Sequence, residues 1–167
     1  MQSDDPETHK AAVLDRIQSR HRQLEQALAT LTPEQMEAEG AVGEWSVKAT
    51  LGHITWWEQV PIHAIRGEPD EDLLPGEEWD TDRANAVLFA RNKARPLSEV
   101  LDAFYASYAE LLRELEALPA ERLDEPTLYG VSLVELIAGN TDHHYDEHAD
   151  LLAAAFGLSL PHPLEQN

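Results

Sequence analysis

The chain has 167 residues, no cysteine, and 32 acidic against 12 basic side chains, a formal net charge of −20. Disulfides, thiolate ligands and a cysteine nucleophile are therefore excluded, and a transition-metal site has to be built from His, Asp or Glu. Charge of this sign opposes phosphate backbones and anionic lipid, so neither nucleic acid nor a membrane is expected as a partner.

One domain, 1–167, is expected at this length, large enough to bury a core without staples. The opening Met1-Gln2-Ser3-Asp4-Asp5-Pro6 lacks a basic and then apolar leader pattern, and no apolar run reaches bilayer length, so a soluble cytoplasmic location is expected. Helical periodicity dominates the chain and strand-like alternation is nearly absent. A first helix is predicted from about Pro6 to Leu31, with Val13, Ile17, Leu24, Leu28 and Leu31 at three- and four-residue steps. Thr32-Pro33-Glu34-Gln35 reads as a capped short turn, with Thr at the N-cap, Pro at N1 and Gln at N3. Ser46 caps a second helix from Val47 to about Arg66, whose apolar arc holds Val47, Leu51, Ile54, Trp57 and Val60 and which Pro61 should bend or interrupt. Gly67 to Asp80 is predicted as a loop, and its acidic run Glu68 to Asp72 as a solvated stretch without the ordered pattern of a calcium site.

A third helical region spans about Thr81 to Leu118 and is divided at Pro96. Ser132-Leu133-Val134-Glu135 is a capping box that opens a last helix to about Phe156, stopped by Gly157. The fold predicted is all-α, a four-helix bundle with short extra helical turns in the loops.

The chemistry concentrates in Asn140-Thr141-Asp142-His143-His144-Tyr145-Asp146-Glu147-His148. His144 and His148 stand four residues apart, on one face of a helix, so both imidazoles can reach one point. A stripe of Leu133, Ile137, Asn140, His144, His148, Leu151 and Ala155 puts them in the middle of the predicted core-facing surface. Two core histidines satisfied by neighbours are the plain reading. Two stacked imidazoles with Asn140 one turn earlier are costly to bury without a shared purpose, and a divalent metal supplies one. His53, inside the apolar arc of the second helix and beside Gly52, is the candidate third ligand; by spacing alone it is equally a satisfied polar residue. Trp45, Trp56, Trp57 and Trp79 are read as packing residues or a pocket mouth, and His9, His21, His63 and His162 as surface or interface residues.

Trp45-Ser46-Val47-Lys48, then Gly52-His53-Ile54, and the late His144-Tyr145-Asp146-Glu147-His148 together resemble the DinB-like family, of the YfiT and damage-inducible type. The resemblance covers nearly the whole chain in helix order. It implies a four-helix bundle in which His53, His144 and His148 hold one divalent ion, zinc or nickel first and iron or manganese next. The doubled His143-His144 departs from the pattern, but position 147 is Glu, so only His144 has a histidine four residues on. The family includes bacillithiol- and mycothiol-dependent transferases and a mycothiol-dependent maleylpyruvate isomerase, and the related ClbS-like proteins protect against a genotoxin.

The function expected is that of a metal-dependent thiol transferase or hydrolase acting on a small electrophile, with a low-molecular-weight thiol as co-substrate in the first case. The alternative is a catalytically silent metal-containing binding or stress-response protein. Glu147 is the candidate base, and equally a fourth ligand, a supporting acceptor or a solvated carboxylate; Asn140 is the candidate substrate-orienting amide. The sequence order is not that of the zinc-protease helix, because the glutamate precedes the second His rather than following the first. The net charge argues against highly anionic substrates unless Arg91 or Arg95 lines the entrance. A homodimer is expected, the isologous pair being the commonest assembly of soluble proteins.

Overall fold

The computed structural model describes residues 5–69 and 80–160. The acidic loop, Trp79 and His162 thus fall wholly or largely outside the described residues. Among the described residues seven α-helices follow in order: α1 (Pro6–Leu28), α2 (Pro33–Glu37), α3 (Val47–Arg66), α4 (Thr81–Lys93), α5 (Leu97–Ala117), α6 (Leu133–Asn140) and α7 (Asp142–Phe156), with a 3-10 turn over Ala120–Asp124.

Local chemistry sets the ends. The Asp5 side chain accepts from the Thr8 amide at the start of α1, where Pro6 loses nothing by lacking an N–H. That helix stops at Leu28, short of the predicted Leu31. The Thr30 and Leu31 amides reach back only three residues, to Ala27 and Leu28, and tighten the last turn. Capping boxes close the starts of α2 (Thr32 with Gln35) and α6 (Ser132 with Glu135), and Ser46 caps α3 through the Ala49 amide at 3.0 Å. Gly67 and Gly157 end α3 and α7 at φ 69° and 64°, a left-handed conformation in which a Cβ is disfavoured.

Two breaks differ from the sequence reading. Pro61 does not interrupt α3, which continues to Arg66 with Val60, Pro61 and Ile62 buried; proline removes only one ladder bond, and packing on both sides holds the helix. The last helix, by contrast, is divided at Thr141 (φ −130°, ψ −99°). There the Asn140 amide donates to the Leu136 carbonyl at 2.8 Å and the Thr141 hydroxyl to that of Ile137 at 2.7 Å, side chains replacing backbone donors across the break. At Pro96 the chain also separates fully, so α4 and α5 are distinct helices.

The frame is a four-helix bundle of α1, α3, α5 and the jointed α6–α7. Helix α3 lies at its centre, packed on α5, α4 and α6, while α1 packs along α7. Ile17, Leu24, Leu51, Ile54, Phe104, Leu111, Leu115 and Ile137 fill the core.

Helix α4 is held close to α3 at Gly52. A Cβ built there would stand 2.2–2.4 Å from the side chain of Asn92, which is buried. Gly52→Ala is therefore expected to destabilise the fold by about 1–3 kcal/mol, the cost typical of overpacking. Asn92→Ala in the same chain should recover part of the loss. Thermal melts of the two single variants and the double test this, and simple additivity would show that the two residues do not meet.

Candidate metal centre

His53 projects from the middle of α3 and is 7% exposed. His144 and His148 project from adjacent turns of α7 and are half-buried. His144 Nε2 lies 2.8 Å from His53 Nε2 and 2.9 Å from His148 Nε2, and the three ligand atoms fall within 4.8 Å of one another. Among the described residues no other side chain belongs to that cluster. The doubled His143 points away and is 76% exposed in its side chain, near Asp142.

The cluster is poised as neutral imidazole. Burial lowers His53 to about 3, assisted by repulsion from His148 and opposed by the Asn85 amide. Burial lowers His144 to about 2, with further repulsion from His148 and His53 and an opposing hydrogen bond to the Asn140 backbone. Burial brings His148 to about 4. Of three neutral rings that face one another through Nε2, two can share one N–H···N bond, but the His144 Nε2 offers only one proton or one lone pair, so the third ring is left without a partner. A cation at the shared point satisfies all three, so the donor set fits a divalent transition metal.

The rings stand on the wall of a cleft of about 530 Å³, whose other walls include Trp45, Trp57, Thr50, Asn85, Asn140 and Glu147. Trp45 meets His53 edge-on with ring centroids 5.1 Å apart, and Trp57 donates its indole N–H to Asn85 Oδ1 at 3.1 Å. Glu147 borders the cleft from an exposed position outside the ligand cluster. Asn140 lines the cleft, and with its amide nitrogen committed to its own helix its oxygen remains as an acceptor.

The break at Thr141 changes the predicted stripe. The core-facing residues of α7 are Asp142, Tyr145, Ala149 and Leu152, while Leu151 and Ala155 are exposed. His144 and His148 therefore sit at the margin of the core, where a cleft reaches them, rather than in its middle. Asp146, at the other margin, pairs with Arg20 of α1 at 2.9 Å. Arg91 and Arg95 line a different cavity from the metal cleft.

One buried group was missed in the sequence. His21, expected at the surface, is fully buried on α1, stacked on Tyr108 with centroids 3.5 Å apart and 5° between planes. Close by, Tyr145 donates its hydroxyl to Glu58 Oε1 at 2.5 Å, and burial pushes the Glu58 carboxyl up to about 7. His21 lies four residues from both Ile17 and Glu25, and only the first of these neighbours hinted that its face turns inward.

No functionally curated protein matches the chain. Among solved structures, the colibactin self-resistance protein ClbS, crystallised in complex with a dsDNA, superposes with a TM-score of 0.76 at 16% identity, covering 90% of this chain and 97% of that one. An uncharacterised protein from Escherichia coli UTI89 superposes with a TM-score of 0.76 at 18% identity, covering 90% and 96%. The first overturns the expectation that nucleic acid is no partner, because a protein of this fold is crystallised on a duplex. Net charge is a sum over the whole surface and does not decide what a local patch contacts. No described helix is long and apolar enough to cross a membrane. A model of the DinB superfamily matches residues 16–149, carrying both the α3 and the α7 histidines, and the chain belongs to the DinB superfamily.

Proposed function

We propose that this protein is a metal-dependent enzyme, a hydrolase or thiol transferase, that directs a nucleophile at a small electrophile in the Trp45–Trp57 cleft. The observation that carries the reading is the convergence of three neutral imidazoles on a cleft of about 530 Å³, with no fourth protein ligand in the cluster among the described residues. When bound, a divalent ion lowers the pKa of a coordinated water or thiol into the neutral range and stabilises developing negative charge. Zinc and nickel suit an all-imidazole set best, with iron or manganese next.

The chain's own groups supply the rest. Trp45 and Trp57 offer flat apolar faces that hold a small substrate and exclude water around it. The Asn140 oxygen accepts from a substrate N–H or O–H, and Asn85, fixed by the Trp57 indole, braces the His53 side of the cleft. Glu147 accepts the proton that the nucleophile gives up.

Protein purified without chelators or a nickel column should carry one divalent ion per chain and turn over members of a panel of thiols and activated esters or amides. Glu147→Gln should then lower kcat by about 10²-fold while leaving the metal in place. Stoichiometric metal without turnover on any panel member would favour the silent metal-binding reading. Two partners accompany the proposal. The dsDNA held by ClbS makes a duplex worth titrating directly, by anisotropy at low salt. A C2 homodimer is proposed for the assembly, and a monomer mass by light scattering at micromolar concentration would end that claim.

A further inference from the structure

On the opposite side of α3 from the histidines, α3, α4 and α5 line a second, open cavity of about 350 Å³. Its walls include Trp56 and Leu88, both buried, and Ala106, with Gln59 as a polar wall residue and Arg91 and Arg95 also among the lining residues. Arg91 makes no hydrogen bond or ion pair with any described residue. Arg95 donates to the Asn92 side-chain oxygen at 3.2 Å and to the Glu99 carbonyl at 3.3 Å, and meets no carboxylate among the described residues.

Acidic side chains outnumber basic ones 32 to 12, and Arg16, Arg20, Lys48, Arg66, Lys93 and Arg122 each have a carboxylate partner. What sets Arg91 and Arg95 apart is position: Arg91 stands on the last turn of α4 and Arg95 just beyond its end, and they line one concave site with no carboxylate partner among the described residues, so both can take a carboxylate from outside. We propose that this cavity binds a small monocarboxylate with a flat apolar body, its carboxylate on Arg91 and Arg95 and its body against Trp56 and Leu88. The planar guanidinium fork matches a carboxylate in a bidentate manner. The apolar wall asks for an organic body, which inorganic phosphate lacks. Glu110, on the same wall and held by Arg66 at 2.7 Å, adds negative charge that opposes a dianion. The volume is at the small end of ligand sites, and two cations over an apolar floor suit a small molecule better than a duplex backbone, which needs a row of cations. The proposal does not depend on the metal-enzyme reading, because the cavity shares no lining residue with the metal cleft.

The test is a titration of the full-length, metal-loaded protein with benzoate, benzamide, inorganic phosphate and a short DNA duplex. Binding is followed by NMR at the Arg91 and Arg95 Nε–H and the Trp56 indole. Benzoate should shift these signals and leave those of His144 and His148 in place. Arg91→Ala, at an exposed position, should weaken benzoate at least about tenfold, as the loss of a charge-assisted hydrogen-bonded pair predicts. Ala106→Leu should block it by filling the cavity. The proposal is overturned if benzamide or phosphate binds as well as benzoate, if Arg91→Ala leaves the affinity unchanged, or if benzoate shifts the histidines instead. It is equally overturned if the duplex moves the arginine signals and benzoate does not, since the arginines would then be a phosphate-contacting surface.

Discussion

Replacing His144 by alanine should abolish stoichiometric metal binding. Its Nε2 is the shared neighbour of the other two ligand atoms, at 2.8 and 2.9 Å, so its loss leaves one ring on α3 and one on α7. Loss of a supporting partner behind a metal ligand already costs about 10–100-fold in affinity, and loss of a direct ligand should exceed that range. The fold should survive, because the α7 face that packs into the bundle is Tyr145, Ala149 and Leu152 rather than His144. The variant should keep most of its helical circular dichroism while elemental analysis finds little metal. His143→Ala supplies the contrast: with its side chain 76% exposed, it should retain the full complement. Full metal in His144→Ala, or loss of metal in His143→Ala, would mean that the register of the pair is misassigned.

Much of this architecture is legible in the sequence, because local rules and tertiary packing agree there. The Thr32, Ser46 and Ser132 caps and the Gly67 and Gly157 stops are short-range chemistry, readable from a few residues. The four-residue step between His144 and His148 survives because it lies wholly within α7. The stripe through Leu133 and Ala155 does not, because it assumes one continuous helix and the Thr141 joint rotates the second half relative to the first. Nothing local announces that joint: Asn140 and Thr141 are ordinary residues whose side chains could equally face solvent. His21 and Glu58 illustrate the other limit. Polar residues are assigned to the surface by default, and burial of these two depends on Tyr108 and Tyr145 arriving from distant parts of the chain. Gly52 is intermediate, since a helical glycine signals a close approach without saying that Asn92 makes it.

The metal-free protein should unfold steeply on mild acidification. His21, His53, His144 and His148 are lowered by burial from 6.5 to about 3, 3, 2 and 4. For a lowered histidine, the stability it contributes is complete above 6.5 and is lost as pH falls towards the folded value, because the unfolded chain takes up a proton that the native state refuses. Glu58 acts in the opposite sense. Its folded value is raised from 4.5 to about 7, so its contribution is present below 4.5 and lost as pH rises through 7, and between those limits the native state holds the extra proton. Four protons favouring the unfolded chain less one favouring the native state leave three, a slope of about 4 kcal/mol per pH unit just below 6. That is an upper bound, since His144 and His148 border a cleft that admits water. Against a total stability of about 5–15 kcal/mol, the transition should fall between about pH 6 and 4. The window from 6.5 to 5 is the informative one, because carboxylates titrating at lower pH also relieve the repulsion of the −20 charge. His21→Phe should flatten the slope by about one proton, roughly 1.4 kcal/mol per pH unit, because phenylalanine keeps an aromatic ring on Tyr108 without a titrating nitrogen. Metal loading should shift the midpoint to lower pH, since an ion that binds only the native state adds about 2.7 kcal/mol at 100 times its Kd. Urea unfolding measured at half-unit pH steps reads the slope directly; a dependence of one proton or less in the metal-free protein would show that the four imidazoles are not held neutral by the fold.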